Sequence, residues 1–245
     1  MAKDRGIDII EKYSGDFLKI IERTIKKKDK VKILEAGCGY GMAMMGFVKR
    51  FGNKVEMVGF NSSKNHGGTG RMKREAIEKG IFTPNEIKKV KNLPKFVYCD
   101  ADKKLPFKSN TFDFIYSKST IYLIADKIHF LEECNRVLKK GGIARLQPGW
   151  TGKVKTNPKQ YWGAWEVWHN GKEIPIYNYL KKIKGVKVGI VKGQPSYLEV
   201  KKTPKSNYKL KFISSIDTNF IWHKYMGVKS IYTTQLKFKP HWKVK

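Results

Sequence analysis

The chain is poor in cysteine: among 245 residues there are three, Cys38, Cys99 and Cys134. They are odd in number and far apart, and no CxxC or His/Cys ligand spacing occurs. A disulfide framework and a zinc site are therefore not expected. Each cysteine reads as a small core residue in a reducing compartment. Long apolar runs are also missing. Nothing approaches the roughly 18 to 20 residues that a membrane span needs. The first ten residues carry Lys3, Asp4, Arg5 and Asp8 and have no apolar stretch of the kind a secretory leader requires. A cytoplasmic-type compartment is the default expectation.

Arginine and acidic residues are scarce relative to lysine. Of 51 basic residues seven are arginine, leaving 44 lysines against 21 acids, for a net charge of +30. Arginine is the usual choice for bidentate phosphate recognition, so an excess made of lysine argues less for a dedicated nucleic-acid site. Two readings stay open. The charge is a compositional bias on a solvated surface, or it draws in an anionic partner such as nucleic acid, an acidic membrane surface or an anionic substrate. With 40% hydrophobic residues the chain has enough apolar material to fold.

The periodicity is that of an α/β protein. Ile9, Tyr13, Phe17, Ile20, Ile21 and Ile25 predict one amphipathic helix over 8–28. Val31 to Ala36 predicts a strand. A helix over 42–51 is stopped by Gly52 and Asn53. Further strands are expected at 55–60, 95–99, 112–116 and 143–146, with helices at 71–79 and 126–139. Gly141 and Gly142 are expected to end the last of these helices. Strands alternating with helices predict a Rossmann-like, doubly wound, mostly parallel sheet. Ligands then sit beyond the carboxyl ends of the strands, here the loops at 37–41, 61–66, 100–102 and 117–122. After residue 150 the texture becomes strand-like (186–191, 196–202, 208–213, 230–238), a β-rich C-terminal extension. The expected organisation is a single domain over 1–245, with a core at 1–149 and a substrate-side region at 150–245.

The strongest local signal is Glu35-Ala-Gly37-Cys-Gly39-Tyr-Gly41, after a strand and before a helix. Glycines there let the backbone turn tightly and approach a ligand closely. The spacing is G-x-G-x-G rather than the dinucleotide G-x-G-x-x-G. An acid also precedes it, a poor neighbour for a pyrophosphate and a good one for an ammonium group. The second strand ends at Asn61, where a ribose partner belongs. The third ends at Asp100, placed to accept from an adenine amine.

Next come Leu105-Pro106-Phe107, Thr111-Phe-Asp113-Phe-Ile-Tyr116 and Arg136-Val-Leu-Lys-Lys-Gly141-Gly142. Over roughly 30–148 this series resembles the class I S-adenosylmethionine-dependent methyltransferases, within them the type 11 branch acting on small molecules. The resemblance implies S-adenosylmethionine as cofactor. Glu35, Gly37, Gly39 and Gly41 would hold its methionine part, Asn61 the ribose, and Asp100 with Ala101 the adenine. Ser117, closing the fourth strand, joins this set. Two features depart from the family. Asp or Glu usually stands where Asn61 does; an amide accepts with one oxygen and donates with its NH2, which predicts a loss of about 1 kcal/mol. Val58-Gly-Phe-Asn61 is similar to the stretch in sterol and other lipid methyltransferases, where Asn can occur. In addition, Gly67-Gly-Thr-Gly70 stands where relatives run into a helix, and reads as a mobile lid or as a longer loop.

Methyl transfer asks mainly for positioning. Candidates for a base are His66 and Tyr122, whereas His129 reads as a packing or surface residue beside Glu132 and Glu133. Trp150, Trp162 and Trp165 are candidates for an acceptor wall. The three-residue steps of Trp162, Trp165 and Trp168 also fit a buried helix face. No Asn-Pro-Pro-Tyr or Pro-Cys motif occurs, which argues against base-amino and cysteine-based C5 methylation of DNA. The leading expectation is methyl transfer to a small-molecule or lipid acceptor. An RNA-modifying enzyme using the lysine surface is the alternative. A non-catalytic subunit of the same fold is disfavoured by the intact glycines and Asp100.

Overall fold

The computed structural model describes residues 6–64, 67–118, 120–121, 124, 127–147, 166–169, 172–175, 186–191, 194–202, 221–225 and 228–232. His66, Tyr122, Trp150, Trp162 and Trp165 lie outside the described residues, as does the expected strand at 208–213.

Five parallel strands carry the fold: β1 (Val31–Ala36), β2 (Val55–Asn61), β3 (Lys95–Tyr98), β4 (Phe112–Lys118) and β5 (Leu138–Gln147). They are continued by β9 (Gln194–Lys201), antiparallel to β5, and β8 (Val186–Val191), antiparallel to β9. The sheet order is β3-β2-β1-β4-β5-β9-β8. Parallel order outward from β1 in both directions makes the gap between β1 and β4 the switch point, where ligands of such sheets are bound. Two hairpins form separate sheets, β6 (Glu166–His169) with β7 (Lys172–Pro175) and β10 (Ile221–Tyr225) with β11 (Val228–Tyr232). Trp168 is thus in a strand, not on a helix face.

Alternate residues of the strands feed two cores. Ile33, Met57, Phe114 and Tyr116 pack with α1 (Ile7–Tyr13), α2 (Phe17–Lys28) and α3 (Met42–Phe51). Leu34, Phe60, Ile115 and Leu146 pack with α6 (Lys127–Val137) on the opposite face. Period-2 alternation with apolar residues at both phases is what burial on both faces demands.

The single helix expected over 8–28 is broken at Ser14-Gly15-Asp16. Gly15 takes φ +59, and a Cβ there would come within 3.1 Å of the Tyr197 hydroxyl. The break is fixed by Arg145, almost fully buried on β5, which donates to the Ser14 carbonyl and pairs with Asp16. The same guanidinium donates through Nε to Glu199 on β9 at 2.7 Å. The Gln147 amide donates to the Ser14 hydroxyl at 3.2 Å. Helical periodicity alone does not see a contact 131 residues away in sequence.

Two further boundaries differ. The helix expected to 139 ends at Val137, and Leu138 already pairs with Phe112. Gly141 and Gly142 lie inside β5, at an irregularity where Phe112 pairs with Leu138 but Phe114 with Ile143. A Cβ on Gly142 would lie 2.9 Å from the Asp113 carbonyl oxygen. These glycines permit a bulge, and end no helix. A short helix, α5 (Pro84–Lys88), was not expected, although Thr83-Pro-Asn-Glu86 carries its signature. Thr83 Oγ1 accepts from the Glu86 N–H and Glu86 accepts from the Thr83 N–H, a capping box with proline in the first turn.

The motifs that carry the resemblance bind one another. Arg136 donates to the carbonyls of Leu105 and Phe107 and pairs with Glu133, which also accepts from the Leu105 N–H. Asp113 accepts from Lys28 Nζ (2.9 Å), Lys139 Nζ (2.7 Å) and the Lys32 N–H (2.9 Å), tying α2, β1 and β5 together. Burial pushes its carboxyl up, but Lys139, the Lys32 N–H and Lys28 outweigh this and hold it below the ordinary 3.8. A depressed folded-state value means stability that is present above the unfolded value and lost as pH falls through the folded one. Urea midpoints of wild type and Asp113→Asn should therefore differ by a constant amount above about pH 5 and converge as pH falls below about 4. A gap that stays constant to pH 2 would contradict this role.

Candidate functional site

Because β1 to β4 run parallel and in register, the loops that follow them open at one end of the sheet. Ala36 lies beside both Phe60 and Ser117. The backbone N–H groups of Gly37 and Cys38 both donate to the Phe60 carbonyl, which turns the chain sharply off β1. Gly37, Gly39 and Gly41 have φ +67, +53 and +80, the left-handed region that costs a residue with a Cβ roughly 1–2 kcal/mol. Gly41 is the N-cap of α3.

Space is as tight as the backbone. A Cβ on Gly37 would lie 2.0 Å from Thr120 Oγ1, whose hydroxyl donates to the Ala36 carbonyl. On Gly41 it would meet Met44, Met72 and Phe96 at 2.9–3.1 Å. Gly59, beside Glu35 on β2, leaves room for Cys38 Sγ. The segment read as a lid or longer loop leads directly into α4 (Thr69–Glu78). Gly67 takes φ +107, and a Cβ there would lie 2.9 Å from the Gly39 carbonyl oxygen. It is a close approach of one loop to another.

Glu35 is buried on β1, between Gly59 and Tyr116 in register and on the α1–α3 side of the sheet. Asn61, equally buried at the end of β2, engages Gly39 at both ends of its amide. Its Oδ1 accepts from the Gly39 N–H at 2.8 Å and its Nδ2 donates to the Gly39 carbonyl at 2.9 Å. Asp100 is exposed beyond β3, where Oδ1 accepts from the Asp102 N–H at 2.9 Å. Ala101 is half-buried against the α6-side core. Ser117 is fully buried but faces α6, opposite to Glu35, and its hydroxyl has no hydrogen-bond partner among the described residues. The structure thus gathers Glu35, the three glycines and Asn61 into one cluster, with Asp100 and Ala101 at its rim and Ser117 across the sheet.

Sequence reasoning missed Thr120, Phe96 and Arg71. Arg71 stacks over the Tyr40 ring at 3.8 Å from its centroid. None of the three has a local signal, because each is defined by what it touches. Cys99, beside the site, has its thiol pushed up to about 11 by burial and by Asp100. It is therefore a poor nucleophile.

The residues fit the cofactor that the sequence implies. The left-handed glycine loop presents backbone at the end of β1, and a buried carboxylate suits the ammonium of a methionine moiety. Comparisons with known proteins agree. The Methyltransf_11 model, a methyltransferase domain, matches residues 34–146. A demethylmenaquinone methyltransferase of Staphylococcus aureus is 31% identical over 113 residues, 46% of this chain and 41% of that protein. An uncharacterised methyltransferase of Schizosaccharomyces pombe is 28% identical over 137 residues, 56% of this chain and 46% of its own. The chain therefore spans less than half the length of these relatives. Among solved structures, a SAM-dependent methyltransferase from Aquifex aeolicus is similar with a TM-score of 0.44 and 21% identity, over 81% of this chain and 98% of that one. Residues 34–146 thus match the type 11 domain of the class I S-adenosylmethionine-dependent methyltransferases, whose cofactor is S-adenosylmethionine.

Proposed function

We propose that the protein transfers a methyl group from S-adenosylmethionine to a small-molecule or lipid acceptor, and that residues 1–245 act as one catalytic unit. The observation that carries this reading is the pairing of three left-handed glycines with the buried carboxylate of Glu35 at the switch point of the sheet. When bound, the cofactor supplies a methyl group on a sulfonium sulfur, open to in-line displacement by an acceptor lone pair.

The chain's own part is to bind, orient and exclude water. Glu35, Gly37, Gly39 and Gly41 hold the methionine portion. Asp100 and Ala101 border the adenine, and Ser117, closing β4, completes the cofactor-binding set. Where the acceptor carries a proton, His66 and Tyr122 are the groups to take it. Trp150, Trp162 and Trp165, which lie outside the described residues, are the candidates for aromatic contact with the acceptor.

The lipid or small-molecule class is supported by the relatives named for demethylmenaquinone. The test is a transfer assay with methyl-labelled S-adenosylmethionine against total lipid, small-metabolite and RNA fractions. Label is expected in one of the first two. Label in RNA would replace the acceptor class, and failure to bind S-adenosylmethionine at all would overturn the whole reading.

A further inference from the structure

The amide at the end of β2 departs from the family pattern inside the site, and its contacts are specific. Asn61 is buried, and two hydrogen bonds of its amide, 2.8 and 2.9 Å long, run to the N–H and the C=O of the same residue, Gly39. Gly39 is the middle glycine of the loop and is held at φ +53. Its carbonyl also borders the close approach of Gly67. A loop residue pinned through both its peptide groups by a side chain on a strand has its peptide planes fixed without help from a ligand.

Only some side chains can do this. A carboxylate accepts but does not donate. Aspartate at 61 would take the Gly39 N–H well enough but would set its second oxygen against the Gly39 carbonyl oxygen. An amide matches one donor and one acceptor at once. The departure from an acid therefore has a chemical reason that does not involve a ribose.

We infer that Asn61 is a positioning residue for the glycine loop, acting on the cofactor through Gly39, and not a ligand of the ribose hydroxyls. The inference rests on the reading of residues 35–41 as the cofactor site. It reverses the expectation drawn from the family. A ribose ligand would be improved by aspartate, which accepts from both hydroxyls. A loop clamp is damaged by it.

The experiment compares wild type, Asn61→Asp and Asn61→Ala by titration calorimetry with two probes, S-adenosylhomocysteine and its 2′,3′-dideoxy analogue. Both variants are expected to bind S-adenosylhomocysteine about tenfold more weakly than wild type, the scale of one lost hydrogen bond. The same factor is expected for the dideoxy analogue, because the two changes are independent. Tighter or equal binding by Asn61→Asp would overturn the inference. So would a loss that disappears when the ribose hydroxyls are absent.

A ligand-free readout keeps the inference testable should a variant fold poorly. The Gly39 amide proton should exchange slowly in wild type without cofactor, and faster in Asn61→Ala. A fast-exchanging Gly39 amide in wild type would overturn the clamp. If wild type binds neither probe, the cofactor reading falls and the inference with it; if wild type binds and Asn61→Asp does not differ, only the inference falls.

Discussion

Gly39→Val is expected to abolish S-adenosylmethionine binding, raising Kd by about 100-fold or more, equivalent to roughly 3 kcal/mol. Three costs combine. The backbone at φ +53 is unfavourable for any residue with a Cβ and worse for a branched one. The peptide groups on both sides are pinned by Asn61 and cannot rotate away without breaking two hydrogen bonds. The added side chain also occupies space that the loop keeps for its ligand. Calorimetric titration with S-adenosylmethionine measures the loss, and the melting temperature of the unliganded variant shows whether the sheet survives. Unchanged affinity would refute the placement of the cofactor at this loop.

The second large effect concerns stability. Arg145→Met should destabilise the protein by about 3–5 kcal/mol, because it removes one partner of a buried ion pair and leaves the other uncompensated. Glu199 is only 4% exposed and receives the Arg145 Nε donor. The guanidinium also supports the Ser14-Gly15-Asp16 break and lies over the rings of Phe17 and Tyr197. At roughly 2–4 °C per kcal/mol for a chain of this size, the melting temperature should fall by about 10 °C. The double variant Arg145→Met/Glu199→Met should recover a large part of that fall, since exchanging a whole buried pair for apolar groups is often close to neutral. A single variant as stable as wild type would show that the pair does not hold the elbow to the sheet.

One row of side chains runs between the two regions that these variants touch. Glu35, Tyr116, Arg145 and Glu199 stand side by side across β1, β4, β5 and β9. The polar side chains that approach the cofactor loop and those that dock the N-terminal helices thus share one face of the sheet. A loss of Arg145 should accordingly weaken cofactor binding less than it lowers the melting temperature, whereas Gly39→Val should do the opposite.

The parts of this protein readable in its sequence are those encoded by local pattern. Strand–helix alternation, the Glu35–Gly41 loop, Asp100 after the third strand and the Arg136–Gly142 motif all lie within short windows. Each follows from backbone conformation or from the polarity of adjacent positions. The doubly wound sheet and its cofactor were legible for that reason. What only the tertiary structure decided depends on residues distant in sequence. Ser14 and Gly15 break a helix because Arg145 and Tyr197 meet them there. Gly141, at φ +78, and Gly142, where a Cβ would meet the Asp113 carbonyl of β4, accommodate a bulge inside β5. Thr120 fills the crook of Gly37 after a long excursion of the chain. Asn61 read as a weakened ribose ligand until its amide was found on Gly39, 22 residues away. Side-chain chemistry names the hydrogen bonds a residue is able to make; only the packed fold selects the partner that receives them.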